Sequence, residues 1–233
     1  MPSRMSDTID ESAVRKAPIF LGLDESAASS LRTSMTLVKL RKGQSLFKEG
    51  DDGDHLYVIS NGKVKLGTKS PDGRENLLMI LGPGDMFGEL SLFDSGPRTA
   101  TATAVTDSKL LSLGQSKVIP WVREHPEVSL HLLSRLASRL RRTNEVVGDL
   151  VFSDVPGRVA KALIDLGVKF GEQKPEGLHV SHDLTQEELA QLVGASRETV
   201  NKALADFAQR GWIRLEARSV VVLDYERLLK RGR

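Results

Sequence analysis

Residues 184–202 contain the side chains whose types and spacing suggest the most specific chemistry in this chain. The pattern predicts two short helices joined by a turn at Gly194, with Ser196 as a natural N-cap for the second helix. Polar side chains fall on the outward face of that helix, where arginine can bond guanine and a carboxylate can accept from cytosine. A helix-turn-helix that offers its second helix to the major groove of DNA has this layout. The candidate DNA-binding residues are Thr185, Gln186, Ser196, Arg197, Glu198, Thr199, Asn201 and Lys202.

The same segment carries the signals that should fix its two helices. Thr185 and Glu188 have the spacing of a capping box, in which each side chain satisfies a backbone N–H of the other residue. Four apolar side chains recur at helical spacing and are predicted to lock the helices together: Ala190, Val193, Val200 and Leu204. A helical hairpin without a DNA function, whose Glu198 and Lys202 form a solvated pair, is the alternative interpretation.

A second segment, residues 87–100, combines a cation, a carboxylate and a glycine in a way that suits a phosphorylated sugar. Arg98 supplies a guanidinium that can bond two phosphate oxygens, and the Thr99 hydroxyl follows it directly. A short helix starting near Glu89 would point free N–H groups at the anion, and Gly88 permits close backbone approach. Glu89 would be unfavourable beside an anion unless it accepts hydrogen bonds from hydroxyl groups such as those of ribose. A structural Arg98–Glu89 ion pair explains the two residues without a ligand.

The composition bounds the class of protein. The 233 residues suffice for two modest domains, and 39% hydrophobic with 27% charged residues is ordinary for a globular chain. No apolar run approaches the roughly 20 residues that span a bilayer, and no signal-peptide pattern opens the chain, so we expect a cytoplasmic protein without a membrane partner. The absence of cysteine excludes disulfides, thiolate zinc sites and cysteine-ligated iron–sulfur clusters. The net charge of +2 neither favours nor disfavours nucleic acid.

These residues must be positioned by a β-rich segment followed by helices. Short β-like runs punctuated by glycine extend from about Val38 to Leu113 and suggest a small antiparallel barrel or roll. Asn61-Gly62 separates two such runs and predicts a hairpin whose two turn residues both have positive φ. Short helices are predicted between Ala17 and Leu37, whereas residues 1–15 are polar and predicted to lack regular structure.

A long helix is predicted from Pro126 to about Phe152. Its seam follows heptad spacing through Leu133, Leu136, Leu140, Thr143, Val147 and Leu150. The polar Thr143, with Asn144 beside it, disfavours a helix that simply lies on its own domain, because polar groups in an apolar seam need partners. Residues 153–157 then predict a hinge, residues 158–170 an amphipathic helix, and residues 212–223 a hairpin that would make the helix-turn-helix a winged one.

On these motifs the chain resembles the CRP/FNR family of bacterial transcription regulators, over nearly its whole length. Gly88-Glu89-Leu90 with Arg98-Thr99 resembles the family's phosphate-binding cassette, residues 154–158 its hinge, and residues 196–202 its recognition helix. The resemblance is greatest to the actinobacterial cyclic AMP receptor proteins, for which residues 71–78 and Thr143-Asn144 are typical. It implies an α+β fold of three parts: residues 1–125 a cyclic-nucleotide-binding β-roll, 126–153 a dimerisation helix and hinge, and 154–233 a winged helix-turn-helix domain.

The resemblance also implies the function of a homodimeric, cyclic AMP-responsive regulator that is not an enzyme and needs no metal. The cyclic AMP contacts would come from Gly88, Glu89, Leu90, Ser91, Arg98, Thr99, Thr143 and Asn144. In this interpretation Arg98 and Thr99 hold the phosphate, Glu89 takes the ribose hydroxyl, and Thr143 and Asn144 reach the adenine from the two subunits. The implied partners are double-stranded DNA with a TGTGA-like palindrome, a second copy of the chain, and RNA polymerase.

Departures from the family pattern and rival functions sharpen these expectations. Many members carry serine where Asn144 stands, and Lys202 replaces a common arginine with a point charge. The missing cysteines exclude the oxygen-sensing branch, and the histidines do not gather in the barrel as haem sensing or a cupin-type metalloenzyme requires. A nucleotide-independent family member and a cyclic-nucleotide-binding signalling module stay open as alternatives.

Overall fold

A computed structural model describes residues 8–232 of the chain. These residues divide into two compact units, one of residues 8–68 and 80–137 and the other of residues 69–79 and 138–232. Strands predominate between residues 36 and 114 and pair antiparallel, as is typical of an α+β fold.

The first unit opens with short helices. They are α1 (Glu11–Val14), a 3₁₀ turn (Pro18–Phe20) and α2 (Glu25–Ser34). The Asp24 side chain caps α2 by accepting from the Ala27 N–H, and α2 confirms the prediction of helix between Ala17 and Leu37. The prediction that residues 1–15 lack regular structure is wrong for residues 11–14, because they form α1 and bury Ala13 and Val14. Residues 1–7 lie outside the described residues.

Short antiparallel strands make up the β-rich segment, as the glycine-punctuated pattern predicts. They are β1 (Thr36–Leu40), β2 (Ser45–Phe47), β3 (His55–Asn61), β4 (Val64–Lys69), β5 (Glu75–Leu81), β6 (Met86–Phe87), β7 (Thr101–Ala104) and β8 (Ser108–Gly114). One sheet has the order β1-β8-β3-β6 and the other β2-β7-β4-β5. Antiparallel pairing of β3 with β8 brings Val58 opposite Leu111, so residues distant in sequence line one core.

The predicted hairpin at Asn61-Gly62 is wrong in its pairing. A turn does lie there, with Gly62 at φ +85°, but Asn61 still belongs to β3 and is not among the residues with positive φ. β3 pairs with β8 and β6, whereas β4 pairs with β7 and β5, so the turn joins strands of two different sheets. A Cβ on Gly62 would lie 2.5 Å from the carbonyl oxygen of Asp107, the residue before β8. The close approach of this backbone also requires glycine at position 62.

Helix α3 (Leu90–Phe93) lies between β6 and β7, and α4 (Gln115–Glu124) and α5 (Pro126–Phe152) follow β8. α3 and α5 were expected from the sequence, and α4, which contains Pro120, was not. Most of the predicted seam of α5 is exposed in the single chain, with Leu133 at 62%, Leu140 at 63% and Val147 at 56% exposure. Burying such side chains is favourable, so an exposed apolar stripe of this length indicates an interaction surface.

The second unit contains the remaining elements. They are α6 (Val155–Phe170), β9 (Gly171–Lys174), β10 (Gly177–Val180), α7 (Gln186–Val193), α8 (Arg197–Gln209), β11 (Ile213–Glu216), β12 (Ser219–Val222) and α9 (Tyr225–Arg231). The predicted hairpin is confirmed as β11–β12, but it belongs to a four-stranded sheet of order β11-β12-β10-β9. The hinge is shorter than predicted, because Val155, Pro156 and Gly157 already form the first turn of α6.

Candidate functional site

The first candidate site is built around Arg98, a buried cation in the β-rich unit. Only 4% of the residue is exposed, although a lone buried charge is costly. Its Nη1 donates to the Gly88 carbonyl oxygen and its Nη2 to the His55 carbonyl oxygen, both at 2.8 Å. Its Cζ also lies 4.2 Å from the centroid of the Phe47 ring, a cation–π distance. The protein therefore holds the guanidinium in place through neutral groups.

One donor of Arg98 stays without an acceptor. Within the described residues its Nε is buried and has no hydrogen-bond partner. A buried donor left unsatisfied costs about 1–3 kcal/mol, and such an atom in a native fold points to a missing acceptor. An anionic ligand supplies both the acceptor and the compensating charge, so the arrangement fits a phosphate group at this guanidinium.

Glycines allow the chain to approach Arg98 closely. Gly88 has φ +83°, and a Cβ there would lie 2.9 Å from both Arg98 Nη1 and the His55 carbonyl oxygen. A Cβ on Gly53 would lie 2.9 Å from Arg98 Nε and 2.5 Å from Ser91 Cβ. Gly88 was singled out by the sequence pattern, whereas Gly53 and the ring of Phe47 were missed, because only the folded sheets bring them to Arg98.

The predicted cassette residues occupy one neighbourhood. Glu89 and Ser91 are buried, with 3% and 4% exposure, and Glu89 stands at the N-terminal end of α3 as expected. Leu90 is half-buried and Thr99 exposed. A helix of one turn has little dipole of its own, so Arg98 supplies most of the positive potential of this site.

A cavity of about 290 Å³ adjoins the cassette. Asp52, Gly53, Ser91, Ser95, Gly96, Pro97 and Gln115 line it. Gly53 and Ser91 thus line the cavity, and Gly53 also lies next to Arg98 Nε. Arg98 itself does not line the cavity.

The electrostatics near the cassette are dominated by local partners. His55 Nδ1 lies 2.6 Å from Asp54 Oδ1, and this hydrogen bond holds the pKa of Asp54 below its ordinary value. Burial raises the pKa of the Tyr57 hydroxyl, and the nearby Arg98 charge opposes that rise. Tyr57 therefore stays neutral at physiological pH.

Thr143 and Asn144 lie on α5 within the second unit, and both are exposed. The Thr143 hydroxyl donates to the Arg139 carbonyl oxygen at 3.0 Å, a common arrangement for threonine within a helix.

The second candidate site is the helix-turn-helix of α7 and α8. The capping box of Thr185 and Glu188 is confirmed, and the Ser196 hydroxyl caps α8 by accepting from the Thr199 N–H. Gly194 ends α7 in the left-handed conformation at φ +69°. The four apolar residues expected to join the helices are all buried: Ala190, Val193, Val200 and Leu204.

The outward face of α8 carries the predicted DNA-reading side chains. Arg197, Glu198, Thr199 and Lys202 are exposed, as are Thr185, Gln186 and Ser196. Asn201 differs from the expectation, because it is half-buried and its Nδ2 donates to Gln186 Oε1 at 3.1 Å. Ser196 and Thr199 bond each other through their hydroxyls at 2.8 Å, so both take part in the helix cap.

Arg158 is a structural anchor of this unit that the sequence pattern did not reveal as such. Its Nε and Nη2 donate to the carbonyl oxygens of Val193 and Gly194 at 3.0 and 3.2 Å, at the end of α7. Its Nη1 donates to the Ser153 carbonyl oxygen at 2.7 Å. One guanidinium therefore satisfies carbonyls of the turn and of the α5–α6 junction. The sequence identified residue 158 only as the end of a hinge motif.

The junction also depends on the last helix. Asp154 caps α6 by accepting from the Gly157 N–H, and Arg231 of α9 donates to its other carboxylate oxygen at 2.6 Å. The Arg231 hydrogen bond, followed by that of Gly157, holds the pKa of Asp154 below its ordinary value. The carboxylate therefore stays ionised, and the cap stays intact, throughout the physiological range.

Two groups of residues match known domain families. Residues 37–125 match the cyclic nucleotide-binding domain, and residues 157–231 match the Crp-like helix-turn-helix domain. No helix among residues 8–232 has the length and hydropathy to cross a membrane, and no three potential metal ligands gather there.

Characterised relatives cover almost the whole chain. A CRP-like cAMP-activated global transcriptional regulator of Mycobacterium tuberculosis is 56% identical over 218 residues, which are 94% of this chain and 97% of that protein. The cyclic AMP receptor protein of Thermus thermophilus is 36% identical and covers 91% of this chain, with 94% of its own length aligned.

Solved structures repeat the architecture. The catabolite activator protein of Thermus thermophilus is 34% identical, with a TM-score of 0.54 over 93% of this chain and 98% of that chain. A CRP/FNR-family transcriptional regulator from the same organism is 27% identical, with a TM-score of 0.71 over 84% of this chain and 98% of its own. The antiparallel β-unit, long helix and helix-turn-helix are therefore shared with regulators of transcription.

Proposed function

This chain belongs to the CRP/FNR family of transcription regulators, and on that premise we propose that it is a homodimer whose DNA binding is controlled by cyclic AMP. The chain is a DNA-binding regulator and not an enzyme, since both of its domain families serve transcription control in these relatives. The expected partners are DNA, a second copy of the chain and RNA polymerase.

The proposal that the protein binds a cyclic nucleotide depends on the environment of Arg98. This residue has a buried guanidinium whose Nε has no acceptor among the described residues, and its two hydrogen bonds go to neutral carbonyl oxygens. In our proposal Arg98 and Thr99 bind the cyclic phosphate, and Gly88 gives the ligand access to the backbone. Glu89 accepts from the ribose hydroxyl, with Leu90 and Ser91 completing this part of the site. The purine contacts are assigned to Thr143 and Asn144.

The DNA half rests on α8. Its cap and buried face are satisfied within the unit, so the side chains of Arg197, Glu198 and Lys202 are exposed and available for base edges. We assign the remaining candidates, Thr185, Gln186, Ser196, Thr199 and Asn201, to orientation of this helix and to phosphate contacts. Two such helices in a dimer would enter major grooves about 34 Å apart, the length of one helical turn of DNA.

Dimerisation is supported by the exposed apolar seam of α5. Leu133, Leu140 and Val147 share one face of the helix and are more than half exposed in the single chain. A second copy of α5 would bury this face. The domain limits expected from the sequence, 1–125, 126–153 and 154–233, are part of the same proposal.

A nucleotide-independent regulator is the second candidate. It is favoured by the two hydrogen bonds from Arg98 to Gly88 and His55, which give the arginine a structural role without any ligand. The two candidates differ in whether nucleotide binding and DNA binding are coupled. If cyclic AMP raises the affinity for DNA, then DNA must raise the affinity for cyclic AMP by the same factor.

A gel-shift titration with a TGTGA-like palindrome, without nucleotide and with cyclic AMP or cyclic GMP, tests the proposal. We expect cyclic AMP to tighten binding by about 5–150-fold, the usual range of allosteric coupling, and cyclic GMP to do less. Calorimetry of cyclic AMP binding with and without operator DNA should give the same factor. Equal DNA affinities in all three conditions would instead establish nucleotide-independent regulation.

A further inference from the structure

Two ion pairs join α5 to α6 within the second unit. Arg142 Nη2 lies 2.7 Å from Asp165 Oδ2, and Lys161 Nζ pairs with Asp149 Oδ2. The α5 members are seven residues apart and the α6 members four, so each set occupies one face of its helix. We call these two pairs the latch.

The pairs have the register of an antiparallel helical hairpin. Arg142 is farther from the junction than Asp149 on α5, and its partner Asp165 is farther from the junction than Lys161 on α6. Near the junction itself, Arg158 of α6 donates to the Ser153 carbonyl oxygen. Two polar contacts thus fasten α6 to the last turns of α5, and a third fastens it to the junction residue that follows α5.

The latch continues into the helix-turn-helix. Arg158 also bonds the Val193 and Gly194 carbonyl oxygens at the end of α7. A Cβ on Gly194 would lie 3.0 Å from Leu150 Cδ2, so the α5 side chain packs directly on the turn before α8. A displacement of α5 relative to α6 would therefore disturb the turn that positions the recognition helix.

The latch begins one residue from the assigned purine contacts, because Arg142 precedes Thr143 and Asn144 in α5. We propose that the Arg142–Asp165 and Lys161–Asp149 ion pairs are the positioning elements through which occupancy at Thr143 and Asn144 controls the helix-turn-helix. This inference rests on the proposed function for its ligand, but the latch itself is a property of the protein without ligand.

The exposure of the pairs suits an adjustable element. The side chains of Arg142 and Asp165 are 52% and 32% exposed, and those of Lys161 and Asp149 are 30% and 24% exposed. Ion pairs in such positions contribute little individually and are screened by salt. They can bias two arrangements of the helices without locking the protein in one of them.

The first measurement is the arrangement of the two helices in the absence of nucleotide and DNA. The chain has no cysteine, so Ser138→Cys and Val168→Cys provide two exposed spin-label sites, on α5 and α6. Dilution with unlabelled protein restricts the measured distances to one subunit. We expect a narrow distance distribution that broadens or shifts in the Asp149→Asn, Asp165→Asn double variant and at high salt. An unchanged distribution in both conditions would overturn the latch.

The second measurement is the ratio of the DNA dissociation constants without and with cyclic AMP. We expect the double variant to change this ratio at least threefold, while the matched variant Glu172→Gln changes it less than twofold. Glu172 is a suitable control because its carboxylate pairs with Lys174 on the same strand and links no helices. The charge exchange, Arg142→Asp combined with Asp165→Arg, keeps an ion pair at these positions. Its ratio should therefore be closer to that of the wild type than the ratio of Asp165→Asn alone.

The two measurements separate the latch from the proposed function. A wild-type ratio of one contradicts control by cyclic AMP, whereas the spin-label distances still report whether the ion pairs hold the helices. A double variant with altered distances and an unchanged ratio would show that the ion pairs fasten α5 to α6 but transmit nothing, which overturns our inference. Thermal unfolding of each variant identifies any that are merely destabilised.

Discussion

Arg98 and Arg197, the two arginines on which the proposed function depends, occupy opposite environments. Arg98 is almost fully buried and donates hydrogen bonds to backbone carbonyl oxygens. Arg197 is exposed on α8, and its Nη2 makes a long contact of 3.5 Å with Gln186 Oε1. The buried cation is fixed before any ligand arrives, so binding costs little reorganisation. The exposed cation stays solvated, so its contribution arises only when a base edge displaces water.

This difference predicts different consequences for mutation. Loss of a desolvated charge should cost more than loss of a solvated one, because the first leaves its partner buried and uncompensated. It should also affect the fold, since the Arg98 guanidinium satisfies two carbonyls of its own domain. Loss of the exposed Arg197 should change the recognition of DNA sequence and leave the stability of the protein unchanged.

The largest expected effect is that of Arg98→Ala. Cyclic AMP binding should weaken by about 2–5 kcal/mol, as for one lost partner of a desolvated charge pair, and calorimetry measures it. Arg98→Lys keeps the charge without the forked donors and should lose part of the affinity. Arg74→Ala is the matched control, because the Arg74 side chain is 84% exposed in the turn between β4 and β5. Wild-type affinity in Arg98→Ala, in protein that melts normally, would contradict the phosphate assignment.

Arg197→Ala should have an intermediate effect, confined to sequence recognition. We expect a loss of about 1–3 kcal/mol on the operator with nearly unchanged binding to random DNA, as for a lost contact with guanine. Titrations of both DNAs at one salt concentration measure the difference. Arg210→Ala, at the C-terminal end of α8, serves as the control for removal of one positive charge. A uniform loss on both DNAs would make Arg197 a phosphate contact instead.

The smallest effect should come from Ser196→Ala, which removes the cap of α8. Stability should fall by about 1 kcal/mol, because the Thr199 N–H loses its acceptor. Urea unfolding measures this change, with Ser138→Ala on the exposed side of α5 as the control. If both serine variants unfold alike, the cap adds nothing to the stability of the recognition helix.

The helix-turn-helix was predictable because its signals are local. Capping by Thr185 and Ser196, the turn at Gly194 and the apolar spacing of the two helices all lie within about twenty residues of sequence, and each is confirmed. By contrast, β9 and β10 escaped prediction. β9 consists of Gly-Glu-Gln-Lys, which has no apolar alternation and becomes a strand only by pairing with β10.

The β-rich segment divides in the same way. A glycine turn after Asn61 was foreseen, but the partner of β3 was not, because β8 lies some fifty residues later in the chain. Local patterns favour the nearest strand as a partner, whereas the roll requires β3 and β4 to enter different sheets. Pairing is settled by the common core, which the sequence does not display.

The sequence by itself determined where the long helix and the helix-turn-helix lie and how the recognition helix begins, and it predicted that Arg98, Glu89 and Gly88 form a cassette, since these inferences follow from capping, turns and short-range spacing. Only the tertiary structure decided what surrounds them. It placed Phe47 and Gly53 against Arg98, the Arg158 guanidinium on the carbonyls of the Gly194 turn, and Asp165 opposite Arg142. Such contacts join residues that are remote along the chain, and their free energies depend on burial and direction, which arise only when the chain is folded.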